Sequence, residues 1–160
     1  MLENNENIST TNDEGSNETV HTRLIDAPRE TVFNAWTTPE LLAKWWGPKG
    51  FTNTFQQFDA RPGGLWTFIM HGPNGVDYPN QCMFDEISSP ERIVIHHLSP
   101  VHDFLVIADF EEMQGKTKVT FCQRFETAAE LNKLKKLVVP ANEENLDRLA
   151  EVVRTLTHQE

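Results

Sequence analysis

The stretch Asn34–Phe51, NAWTTPELLAKWWGPKGF, holds three of the chain's four tryptophans within eleven positions and closes on a Gly-Pro pair. Just before it, Asp26-Ala-Pro28 reads as a helix entry. Proline has the φ that a first turn wants, and Glu30 favours the positive end of a helix. Val32, Phe33 and Trp36 fall at i, i+1 and i+4, with Ala35 alongside, so the spacing predicts a short amphipathic helix. Pro39 stops it, and Thr38 caps a second short helix, PELLAKWW, which Gly47-Pro48 ends. Trp36 belongs to the core by its place on the stripe. Trp45 and Trp46 are neighbours at a helix end and must point apart, one under a sheet edge and the other at a cavity mouth or the surface.

From Phe51 onward the apolar period changes to two. FTNTFQQFD (51–59), LWTFIMHG (65–72), YPNQCMFDEI (78–87), RIVIHHLS (92–99), DFLVIADFEE (103–112) and TKVTFCQRF (117–125) read as six strands. RPGG, HGPNG, SSPE and MQGK supply the turns between several of them. Upstream, ETVHTRLID alternates as a strand with one face only partly buried. Short strands joined by tight polar turns describe an antiparallel meander.

The chain then returns to helix. TAAELNKLKKLV puts Leu131, Leu134 and Leu137 or Val138 on one face, and Pro140 is expected to break it. A second helix follows, with Asn142 as its cap and Leu146, Leu149, Val153 and Leu156 as a stripe. Its opposite face is charged, so it lies on something apolar, the concave side of the sheet.

Composition narrows the function. The 160 residues suit one domain, over residues 18–160, preceded by a polar tail over residues 1–17 that has four acids and no Lys or Arg and reads as disordered. Fourteen basic against twenty-four acidic residues give a net charge of −10, which argues against nucleic acid or anionic membranes as partners. There is no signal-peptide profile and no run long enough to insert in a bilayer, so a cytoplasmic protein is expected. Cys82 and Cys122 sit in no metal-binding spacing and read as buried thiols.

No assembled catalytic motif is present. His96 and His97 are adjacent in a strand and face opposite sides, so they cannot share a metal. His71 and His102 read as loop residues, and Asp59 and Arg61 as a turn pair; Arg61 would neutralise an acidic ligand only if it turned inward. Neither a metal nor a cofactor is implied.

The motifs IDAPRETVFNAWTTPELLAKWWGPKGF (25–51), DARPGGLWTFIMHGPNG (59–75), EISSPERIVI (86–95) and NLDRLAEVV (145–153) carry a resemblance. From about Thr19 to the C-terminus the chain resembles the bacterial branch of the family named after the activator of heat-shock-protein-90 ATPase, within the START and birch-pollen-allergen-like helix-grip superfamily. The resemblance implies an α+β fold, a curved antiparallel sheet wrapped around a long C-terminal helix, with two short helices after the first strand. It also implies a small hydrophobic cavity between sheet and helix. One departure is visible: VPANEEN lacks the Gly-Trp pair that members often carry before the LDRL run.

The expected lining is Trp36, Trp45, Trp46, Phe51, Trp66, Phe68, Tyr78, Phe84, His97, Phe104, Phe121, Leu149 and Val153, with Asn80 and Gln123 as further polar groups. The leading expectation is binding of a small apolar or amphipathic, lipid- or polyketide-like molecule. A cyclase- or hydrolase-like enzyme using a pocket histidine or acid is the alternative, and a chaperone-ATPase-activator-like interaction domain is the third. An exposed edge strand in such a sheet could also pair two copies into a homodimer.

Overall fold

The structure, a computed structural model, describes residues 15–98 and 103–157. In chain order the elements are β1 (Glu18–Ile25), α1 (Arg29–Thr37), α2 (Pro39–Trp45), β2 (Thr52–Phe58), β3 (Leu65–His71), β4 (Asp77–Ser88), β5 (Arg92–His97), β6 (Phe104–Met113), β7 (Lys116–Phe125) and α3 (Ala128–Thr157). The seven strands form one antiparallel sheet in the order β1-β7-β6-β5-β4-β3-β2. This is the expected α+β helix-grip architecture, a curved sheet with one long C-terminal helix. The tail expectation falls almost wholly outside the described residues, as does the one for His102. Asn17 is described, and it exchanges hydrogen bonds with Phe125 of β7.

The turns follow from their residues. Gln114 and Gly115 both take positive φ, 57° and 85°, which is the hairpin geometry that joins β6 to β7. At Gly64 a Cβ would stand 1.9 Å from the carbonyl oxygen of Asp59, so only glycine fits there. That fit lets Gly63 and Gly64 exchange backbone hydrogen bonds with Phe84 on β4.

Register places three rows of side chains on the inner face. One runs Phe125, Phe104, His97, Cys82, Trp66, Phe58 across β7 to β2. A second runs Thr19, Gln123, Val106, Ile95, Phe84, and a third His21, Phe121, Ala108, Ile93. On the outer face Val20, Cys122, Ile107 and Val94 line up as a separate, smaller apolar cluster. The main core lies between the inner rows, α1, α2 and the C-terminal half of α3.

Two local expectations are corrected. Pro140 does not break the C-terminal helix: α3 runs for 30 residues with Pro140 inside it. The proline is exposed, so the carbonyl left without its N–H donor faces the solvent side of the helix, where water can serve it. Asn142 therefore caps nothing. It is buried, and its side-chain amide donates to Gln123 Oε1 at 2.9 Å. At the other end, Pro28 stands one residue before α1, at its cap, rather than in its first turn.

Pro140→Ala should restore the missing helical hydrogen bond. Helix-interior proline costs about 3 kcal/mol and its rigid unfolded chain returns roughly 1, so urea unfolding should show a gain of about 2 kcal/mol. Two separate helices meeting at Pro140 would show no gain.

Candidate ligand-binding site

The aromatic stretch converges on Trp46. Its ring lies 5.6 Å from Trp45, 6.2 Å from Trp36 and 5.2 Å from Trp66, all edge-to-face, and it stacks at 6.3 Å on Phe121. Such contacts add about 0.5–1.5 kcal/mol each beyond area burial. Trp36, Trp45 and Trp66 are fully buried, while Trp46 is only partly so. The different directions expected of Trp45 and Trp46 take this form: Trp45 lies in the core and donates its indole N–H to Ala35 O at 3.0 Å, and Trp46 keeps an accessible edge.

The backbone around Trp46 is fixed from three sides. Its N–H bonds Leu42 O, its carbonyl accepts from Asn53 Nδ2 of β2 at 2.8 Å, and the following Gly47 N–H donates to Asn145 Oδ1 of α3 at 2.9 Å. Gly47 has φ +103°, a conformation other residues rarely adopt. Asn145 is buried on the same stripe as Leu146, Leu149 and Val153.

Farther across the sheet, His97 stacks on Phe104 with ring centroids 4.4 Å apart, and its Nε2 lies 2.7 Å from Asn80 Oδ1. Asn80 Nδ2 donates to Tyr78 O, which turns its oxygen toward His97, so Nε2 carries the imidazole proton. His96 points to the other face, where its Nε2 meets Asp103 Oδ1 at 2.5 Å. His97 and Phe104 are partly accessible although they lie on the face that α3 is there to cover. The reason is the position of α3. Among the described residues its backbone comes nearest β1, β7, α1 and α2. Cys82, beside His97, and Ala108, beside Phe121, are the smallest members of their rows and are buried.

The seam between β1 and α3 is polar. The buried His21 meets Glu143 Oε2 through Nδ1 at 2.6 Å, and Arg23 bridges Glu143 at 3.0 Å and Asp147 at 2.6 Å. With Thr19, Gln123 and Asn142 also buried, hydrogen-bonding groups flank one side of the aromatic core. Sequence reading missed all of these but Gln123. The available signal was that Asn142 and Asn145 fall four residues before Leu146 and Leu149 respectively, on the buried stripe.

The remaining expected lining residues divide in two. Trp66, Phe68, Phe84, Phe121, Leu149 and Val153 join Trp36 and Trp45 in the buried core. Phe51 and Tyr78 pair instead with each other at 5.9 Å, and Tyr78 is 42% exposed, because its place near the start of β4 carries it beyond the covering helices. Arg61 turns outward, pairing with Asp59 at 2.9 Å, and does not face the interior. Among the described residues no cluster of three His, Cys, Asp or Glu side chains is arranged to hold a metal ion. Burial pushes both thiols up, Cys82 and Cys122 to about 12; for Cys122 the nearby Glu18 carboxylate adds to the effect.

The geometry is that of a helix-grip protein, in which a sheet and a long helix enclose an aromatic interior. Residues 26–154 match the family described as Activator of Hsp90 ATPase homolog 1-like protein, and the chain belongs to that family. A comparison with curated proteins finds no match. Solved structures share the fold. A protein from Arthrobacter aurescens superposes with a TM-score of 0.85 at 21% identity, covering 93% of this chain and 92% of its own. One from Nitrosomonas europaea gives 0.81 at 21% identity, covering 88% and 96%. Ms6760 from Mycobacterium smegmatis gives 0.77 at 22%, covering 96% and 99%.

Two outcomes follow. Asn145→Ala leaves the buried Gly47 N–H unpaired and should cost about 1–3 kcal/mol in urea unfolding, with a shift in tryptophan emission. Both thiols should resist a disulfide reagent at pH 8 in the folded protein and react on unfolding. Because their folded pKa values are raised, the stability they contribute is whole below about pH 9 and is lost as pH climbs from 9 toward 12. Ready reaction of either thiol without unfolding would contradict this.

Proposed function

We propose that this protein binds a small apolar or amphipathic molecule between the inner face of the sheet and α3, without covalent chemistry. The observation that carries the reading is the partial accessibility of Trp46, Phe104 and His97 at the margin of an otherwise buried aromatic interior. Apolar walls with a few fixed polar groups are the composition of ligand sites. Here Trp46 and Phe104 are the walls, Cys82 and Ala108 the floor, and His97 with Asn80 the polar element. The β1–α3 seam adds a hydrogen-bonding end that suits an amphipathic ligand.

The enzymatic alternative has less support. His97 pairs through Nε2 with the Asn80 amide, and Cys82 holds its proton too tightly to act as a nucleophile. Both cysteines are free and lie on opposite faces of the sheet, which suits the reducing cytoplasm, where we place the protein.

Titration with N-phenyl-1-naphthylamine tests the reading. Its emission should rise with saturation at one molecule per chain, while tryptophan emission falls by energy transfer. Cys82→Phe, which raises the floor, should weaken the probe about tenfold or more with unchanged circular dichroism. No saturable rise with the folded, unaltered protein would overturn the proposal.

A further inference from the structure

The tryptophan cluster contains an unresolved hydrogen-bond account. Trp45 shows that a buried indole here can find a carbonyl, since it donates to Ala35 O at 3.0 Å. Trp36 and Trp66 are equally buried, yet the Nε1–H of each has no partner. Buried donors without acceptors are costly and rare, and they mark places where a water or a ligand completes the bonding. Both rings contact Trp46, at 6.2 and 5.2 Å, and Trp46 is the member of the cluster with an accessible edge.

We propose that the indole N–H groups of Trp36 and Trp66 are ligand-recognition groups, and that the ligand is therefore an apolar molecule carrying a neutral, carbonyl-type oxygen. This rests on the reading of the interior as a ligand site and adds the ligand's chemical class. An indole N–H only donates, so the complementary group must accept; an ammonium or a plain hydrocarbon leaves it unpaired. Aromatic rings border both indoles, Phe110 beside Trp36 and Phe68 beside Trp66. Ring faces are electron-rich and repel an anion, so a ketone or ester oxygen suits the site better than a carboxylate.

Three isosteric probes decide it: 2-acetylnaphthalene, 2-isopropenylnaphthalene and 2-naphthoate, each titrated into nitrogen-15-labelled protein while the indole N–H resonances are followed. Trp36→Phe and Trp66→Phe assign the resonances. The ketone should bind about tenfold more tightly than the isopropenyl compound, the worth of one buried hydrogen bond. It should move the Trp36 or Trp66 resonance more than that of Trp45, and Trp66→Phe or Trp36→Phe should abolish its advantage. Equal affinity for ketone and hydrocarbon, or resonances that stay put because a bound water or a ring face already holds the N–H groups, overturns the inference and leaves ligand binding standing. Tighter binding of the naphthoate overturns the choice of a neutral oxygen. If none of the three binds, the ligand site itself falls, and the inference with it. Should the variants not fold, through-bond and nuclear-Overhauser spectra assign the indole resonances of the unaltered protein, and their shifts still decide.

Discussion

One helix cannot cover seven strands. A sheet of seven strands is about 29 Å wide at roughly 4.8 Å per strand, whereas a helix with its side chains is about 10 Å across. Helix α3, 30 residues and so about 45 Å long, has length to spare but not width. Its backbone lies nearest β1 and β7 among the strands, and the rest of the inner face takes further cover. That cover comes from the α1–α2 pair, whose short helices bring large side chains. Trp36, Trp45 and Trp46 extend the apolar roof toward Trp66, Phe55 and Phe58 on the far strands. The accessible ring of Trp46 is the margin of that roof.

The same constraint explains why polar and aromatic groups separate. Where α3 touches β1 and β7, side chains meet as ion pairs and an amide pair: Arg23 of β1 with Glu143 and Asp147, and Asn142 with Gln123 of β7. These fix how the helix lies against the sheet. Toward β3 and β4 the interior is filled by rings, Trp66, Phe68 and Phe84 among them. Asn145 links the two regimes, because a residue on α3 holds the Gly47 turn and through it the orientation of Trp46.

Much of this was legible in the sequence. The change of apolar period at Phe51 marked where helices give way to strands, and the turn residues separated strands within a residue or two of their ends. Alternation also placed His97 and His96 on opposite faces. It could not say how far along a strand the covering helix reaches, which is why Tyr78 shares the parity of Cys82 and Phe84 yet lies in the open. Pro140 misled because a local cost of about 3 kcal/mol is readily outweighed when neighbouring turns bury Leu131, Leu146, Leu149 and Val153. The asparagines were hidden for a related reason: a polar residue on a buried stripe is recognised only once its partner, Gln123 or the Gly47 N–H, is known.

Cys82 and Ala108 bear on how such a family can diversify. Each lies in the middle of an inner row with larger neighbours on both sides. A change of side chain at either position alters the depth of the interior while every ladder hydrogen bond stays as it was, since the ladder is made by the backbone. Evolution can therefore retune what fits inside by single substitutions that the scaffold scarcely registers. Solved structures at 21–22% identity share this backbone.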